Sequence, residues 1–257
     1  MESMSKLFSG VAVALVTVLD DQGDIDPGST AALASDLVAR GIQAVLVCGT
    51  TGEAATLADG ERTALIEAVR AALPDAIPVI AGTGAPSLWQ AERLTSDAVR
   101  AGADAVLAWP PAGCKELGGY YTALASAARN RPVLAYHLPS VSSPGVPVAA
   151  LPPLPVAGIK DSSGSPDRLL DELAHYQGAT YVGSSALLAL AGPMGAAGAI
   201  LALANVEPAD CCRAFAGDAA VQRELTDRHL EMVEGGPAAL KRILAKTRPM
   251  SPTSRVP

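Results

Sequence analysis

The stretch "PVAGIKDSSGSPDRLLDELAHY", residues 155–176, reads as strand, turn and helix in immediate succession. An apolar run ends on Lys160, and Asp161, Ser162, Ser163 and Gly164 then supply turn chemistry. Ser165-Pro166-Asp167 follows, a cap residue, a first-turn proline and an acid that suits a helix N-terminus. Apolar side chains at successive rather than alternate positions mark a strand covered on both faces, as in a parallel sheet. The fold then depends on how often this strand-turn-helix unit recurs.

It recurs along most of the chain. Comparable runs lie at 11–18, 43–48, 77–82, 104–109, 132–137, 180–184 and 198–203. Helical segments are expected near 28–40, 58–73, 87–101, 116–129, 166–176 and 185–192, several with their own start signals. Asp26-Pro27 repeats the cap-proline arrangement, and Ser87 with Gln90 has the form of a capping box. Eight such units describe an α/β chain folded as a (β/α)8 TIM barrel. The competing open doubly wound sheet would carry G-x-G-x-x-G after its first strand. That signature is missing, and Gly82-Thr83-Gly84 reads as a tight turn. The barrel is expected over residues 1–205, with a short C-terminal helical extension over 206–257. Between strands five and six, residues 147–154 are too short and proline-rich for a full helix.

Composition narrows the function classes. Hydrophobic residues make up 49% and charged residues 18% of the 257, enough for a large core. A net charge of -7 without a Lys/Arg run argues against nucleic acid as partner and favours a small molecule. The four cysteines have no ligand spacing, and the histidines, His137, His175 and His229, are scattered. Neither a metal nor another cofactor is expected. With no long apolar segment, a cytoplasmic protein with no membrane partner is the simplest reading.

In such a barrel the chemistry lies at the C-terminal ends of the strands. The polar residues expected there are Gly49, Thr50 and Thr51 after strand two, Tyr136 on strand five, Lys160 on strand six, and Gly183-Ser184 after strand seven. Of the lysines, only Lys160 follows an apolar strand. An apolar setting disfavours a charged ammonium, leaving free amine to attack a carbonyl carbon and form a Schiff base. A strand-end lysine reaching out to solvent fits the same residue equally well. Tyr136 is a candidate proton carrier, and "GTTGE" (49–53) a candidate cradle for a carboxylate or an ordinary loop capping the next helix. Glu53 is either a supporting acid or a first-turn acid, and Asp161 should point away from Lys160. Tyr120 and Tyr121 fall in a helical segment and read as packing residues.

Taken in order, "GTTGEAATL" (49–57), "YHLP" (136–139) and "GIKDSSG" (158–164) resemble the dihydrodipicolinate synthase/N-acetylneuraminate lyase family. The resemblance spans roughly residues 7 to 250. It implies that Lys160 condenses with the ketone of pyruvate or a 2-keto acid, that Tyr136 relays protons, and that Thr50 and Thr51 bind the carboxylate and extend the relay. It also implies a homo-oligomer, dimer or tetramer. Two family features are replaced. The arginine usual two residues after the proline of Y-N-x-P is Val141 here, and the paired tyrosine of the loop after strand four gives way to Pro111 and Ala112. His137 stands where asparagine is usual.

These departures favour a class I, metal-independent carbon–carbon lyase working on pyruvate, or a 2-keto acid, and an aldehyde, of the 2-keto-3-deoxy sugar acid type. Condensation of pyruvate with aspartate semialdehyde, as by dihydrodipicolinate synthase, is the second reading. A non-catalytic barrel that binds a keto acid is the third.

Overall fold

The structure is a computed structural model that describes residues 6–256. Strands β1 (Gly10–Ala14), β2 (Ala44–Val47), β3 (Val79–Gly82), β4 (Ala105–Ala108), β5 (Val133–His137), β6 (Gly158–Asp161), β7 (Ala179–Val182) and β8 (Gly198–Leu201) pair in parallel and in chain order. Because β1 also pairs with β8, the sheet is a closed barrel with no free edge. Helices α1 (Pro27–Ala39), α2 (Asp59–Ala72), α3 (Leu88–Arg100), α4 (Leu117–Ala127), α5 (Pro166–His175) and the short α6 (Leu188–Ala191) form the outer wall. Beyond β8 come α7 (Pro208–Phe215), α8 (Ala219–Glu224) and α9 (Thr226–Ala245).

Strand alternation splits the core in two. Ala12, Leu46, Ile80, Leu107, Leu134, Tyr136, Tyr181 and Ile200 fill the barrel interior. Their chain neighbours, Val13, Val45, Val79, Val106, Ala135 and Ile159 among them, pack outward against the helices. Two buried layers on every strand explain the unbroken apolar runs. At the N-terminal end Phe8 stacks on Tyr181 with ring centroids 4.6 Å apart and shuts that mouth.

The strands are shorter than the apolar runs. Beyond Ala14 the backbone leaves the ladder: Val16 N donates to Asn205 Oδ1 (3.1 Å) and Val18 N to Thr30 Oγ1 (3.0 Å). Side chains rather than a neighbouring strand satisfy these donors, so β1 ends early although its residues stay buried. Strand β6 starts only at Gly158: Pro155 has no N–H, and Val156 N is spent on a local bond to Leu154 O (2.8 Å). The 185–192 segment is a 3-10 turn (Ser185–Leu187) running into α6. As the prolines imply, a single 3-10 turn, Val148–Ala150, stands between β5 and β6 in place of a helix.

Outside β5 and β6 lies a buried ionic cluster. Arg168 on α5 pairs with Glu172 (2.8 Å), approaches Asp161 (3.6 Å) and donates to Val146 O (2.7 Å). Val146 N in turn donates to His137 Nδ1 (3.0 Å), which therefore carries no proton. Burial first, and the Arg168 charge second, push the His137 pKa down. Burial, reinforced by the nearby Asp161 charge, pushes Glu172 up to about 8 despite its guanidinium partner. The native state then keeps a proton that the unfolded chain releases above the ordinary value of 4.5. By linkage, this group's contribution is full below about pH 4.5 and is lost as pH rises toward 8. Glu172→Gln should therefore flatten the fall in melting temperature between pH 5 and 8 relative to wild type. Parallel wild-type and variant curves would remove Glu172 as the cause.

Candidate active site

The register of β5 on β6 sets Tyr136 opposite Lys160 and His137 opposite Asp161. Tyr136 belongs to the interior layer, so its lysine partner also points inward, and the outward pair joins the ionic cluster. Lys160 is 5% exposed, and its Nζ lies 4.5 Å from the centroid of the Tyr136 ring. That is within cation–π range for the ammonium form. A solvent-reaching lysine is excluded by this burial.

Tyr136 opens onto a cavity of about 260 Å³ at the C-terminal ends of β2 to β5. Gly49 and Thr50 line it from the β2 side, Gly84 and Trp109 from the loops after β3 and β4, and Val141 from the loop after β5. Trp109 can lie where it does because residue 84 has no side chain: a Cβ there would sit 2.6 Å from the indole. Tyr120 and Tyr121 hold the end of β4, their hydroxyls donating to Trp109 O (2.8 Å) and Ala108 O (3.1 Å).

Thr50 and Thr51 open a 3-10 turn, Thr50–Gly52. Gly52 N donates to Gly49 O, Glu53 N to Thr50 O and Ala54 N to Gly49 O. The turn thus consumes the later amides, while the geometry of a helical N-terminus leaves those of Thr50 and Thr51 directed outward. Thr50 lines the cavity; Thr51 is half-buried in the same turn. The hydrogen bond that reaches the Tyr136 hydroxyl comes from Ser162 Oγ (3.3 Å). Gly183 stands behind that serine, where a Cβ would lie 1.9 Å from Oγ. Ser184 caps the following turn by accepting from Ala186 N (3.3 Å). Gly183 thus backs Ser162 and Ser184 serves its own turn, whereas Gly49, Thr50 and Tyr136 meet at the cavity with Lys160 beside the Tyr136 ring.

Two further walls come from far along the chain. Pro237 and Val256 also line the cavity. Helix α9 breaks at Gly236 (φ 55°, ψ −149°) just before Pro237, which starts its second half. Residues 253–256 then run back over the "GTTGE" turn as a strap. Glu53, in the left-handed region, is neither a first-turn acid of α2 nor free in the cavity. Its Oε2 accepts from Ser254 Oγ (3.0 Å), Arg255 N (2.7 Å) and Val256 N (3.0 Å), and its Oε1 pairs with buried Lys241. Burial works against the Glu53 carboxylate, but Lys241 and these donors outweigh it and hold its pKa below the ordinary value. Lys241 also donates to Thr253 O (2.9 Å), and Arg255 binds both Glu61 carboxylate oxygens, at 2.6 and 2.9 Å.

Sequence reading missed Ser162, Trp109, Lys241 and the strap. Ser162 was visible as a hydroxyl two positions past Lys160. Lys241 had a signal of its own, a lysine beside Ala238, Ala239 and Leu240 on the buried face of α9.

A family model described as the dihydrodipicolinate synthetase family matches residues 7–244. The chain belongs to that family. A 4-hydroxy-tetrahydrodipicolinate synthase of Salinibacter ruber is 32% identical over 98% of this chain and 89% of its own length. One from Acidithiobacillus ferrooxidans is 34% identical over 98% and 92%. The chloride-inhibited dihydrodipicolinate synthase of Acinetobacter baumannii, solved in complex with pyruvate, superposes with a TM-score of 0.84 at 27% identity, over 96% of this chain and 94% of that one. Membership in the dihydrodipicolinate synthetase family makes the chain an enzyme of the carbon–carbon lyase class, of class I aldolase type. Among the described residues, no helix is long and apolar enough to cross a membrane.

The Glu53–Lys241 pair gives a direct test of the strap. Removing one partner of a buried pair leaves the other charge without compensation, at a cost of roughly 3–5 kcal/mol. Glu53→Ala should lower the free energy of unfolding by about that much in urea titration. A loss under about 1 kcal/mol, the range of an exposed pair, would show that Lys241 finds another partner.

Proposed function

We propose that the chain is a Schiff-base aldolase acting on pyruvate or a 2-keto acid and an uncharged aldehyde, the class that includes the reversible cleavage of 2-keto-3-deoxy sugar acids. The observation that carries this reading is the nearly enclosed Lys160 amine beside the Tyr136 ring at the edge of the cavity. In this mechanism the amine attacks the ketone carbon, and loss of water gives the imine. Removal of a C3 proton gives the enamine, which attacks the aldehyde carbon and forms the C3–C4 bond. Tyr136 delivers the proton to the new alkoxide, with Ser162 orienting its hydroxyl. Water returns in imine hydrolysis, so the cycle balances. The outward amides of Thr50 and Thr51 and their hydroxyls suit the keto-acid carboxylate.

Sodium borohydride added with pyruvate should leave a reduced adduct on Lys160, found by peptide mass mapping. An unmodified Lys160 would sink the mechanism. Tyr136→Phe should keep the adduct while kcat falls by about 10²–10⁴-fold, the usual share of a positioned acid–base group. A kcat within about twofold of wild type would remove the tyrosine from the relay.

A second reading, condensation of pyruvate with aspartate semialdehyde, is favoured by the names of the curated relatives. Against it, Val141 supplies a methyl-bearing wall where a carboxylated acceptor needs a cation. A reductase-coupled assay with aspartate semialdehyde separates the two. Turnover comparable to that of the best uncharged aldehyde would favour the second reading.

A further inference from the structure

The polar side-chain atoms offered to the cavity are chiefly those of Thr50 and Tyr136, beside Lys160. Glu53 also borders it, but its carboxylate is taken up by Lys241 and the strap. Most of the remaining wall is apolar: Leu107, Trp109, Val141, Pro237 and Val256. Among the described residues, no arginine lines this space. We propose that the acceptor is an aldehyde bearing a small apolar substituent, branched alkyl or phenyl, and that Val256, brought in by the strap, is a specificity-determining wall of its pocket. The inference rests on the aldolase reading above and names its second substrate.

Volume and solvation both point this way. At about 260 Å³ the cavity falls just below the range of about 300–1,000 Å³ typical of small-molecule pockets, so an acceptor sharing it with a keto acid is small. Pyruvate needs the polar groups, the amine for its ketone and the threonine turn for its carboxylate. The substituent of the aldehyde is then left facing hydrocarbon and the Trp109 ring. A hydroxylated chain would give up its water without finding donors or acceptors, lowering kcat/KM on the order of tenfold for each hydroxyl left unpaired. A carboxylated chain would leave a charge unmatched there, a larger loss.

Val256 is held firmly enough to act as a wall. Its own N–H and that of Arg255 donate to Glu53, and the Arg255 guanidinium is fixed on Glu61, Gly23 O (2.8 Å) and Thr56 O (3.0 Å). The strap thus joins the turn that binds the keto acid to the pocket that takes the aldehyde. The chemistry gives a 4-hydroxy-2-oxo acid with an apolar tail, or in reverse cleaves one between C3 and C4 to pyruvate and the aldehyde.

The experiment uses the full chain in two stages. Borohydride trapping with pyruvate first establishes whether Lys160 forms the imine; without an adduct, the aldolase reading falls before the acceptor is tested. With the adduct present, kcat/KM is measured for condensation of pyruvate with isobutyraldehyde, benzaldehyde, D-glyceraldehyde and aspartate semialdehyde. The proposal expects one of the first two to exceed both of the others by at least about tenfold. Equal or better use of glyceraldehyde or aspartate semialdehyde overturns it and leaves the aldolase reading standing, as does failure of all four. Val256→Asp should lower the ratio of apolar to hydroxylated aldehyde use at least about fivefold, as a charged group replaces part of the pocket wall. An unchanged ratio would overturn the assignment of Val256.

Discussion

The parallel pairing of β5 with β6 governs both the candidate site and the outer packing on this side of the barrel. One register aligns Tyr136 with Lys160 and, a residue further on, His137 with Asp161. Because successive side chains alternate between faces, the first pair must enter the interior and the second must meet the outer helices. A slip of one residue would exchange the sets, putting the ionic groups into the barrel and the amine among Arg168 and Glu172. The site and the outer cluster are therefore two faces of one constraint, and the side chains outside help to hold the register that the side chains inside require. His137 is part of this arrangement, because its neutral ring fixes Val146 and so the loop that brings Val141 to the cavity.

The opposite side of the cavity is organised by Glu53. A carboxylate so deeply buried needs compensation, and it receives it from Lys241 on α9 and from three donors on the strap. The turn carrying Thr50 and Thr51 is thereby joined to the C-terminal segment by charge-assisted bonds. These bonds define where the strap lies, because each of Ser254, Arg255 and Val256 donates to the same carboxylate oxygen.

The barrel was legible in the sequence because its signals are local. Apolar runs, cap residues and a proline in the first turn of α5 each act over a few residues, and their recurrence gave the architecture. Lys160 and Tyr136 were legible because a polar residue at the end of an apolar strand is conspicuous. The extents of the strands were not: whether Val16 bonds to a strand or to Asn205 depends on a side chain 189 residues away. The same holds for Glu53, whose position after "GTTG" suggests a local role while its partners lie near residues 241 and 254–256. Gly183 and Ser184 lie at the C-terminal end of β7, yet that Gly183 backs Ser162 while Ser184 caps its own turn depends on packing that no local pattern encodes.

The strap also bears on the order in which the protein becomes functional. Glu53 and Arg255 are 202 residues apart, so their contact belongs to the last stage of any N-to-C assembly. By the time β8 has paired with β1, the register that sets Lys160 beside Tyr136 is in place, but the Glu53 carboxylate is uncompensated and one side of the cavity is still open to water. A chain stopped at that stage would hold Lys160 and Tyr136 side by side without the wall that Pro237 and Val256 supply to the cavity. In temporal terms the barrel interior is set before the cavity is walled, and residues 253–256 mark the transition.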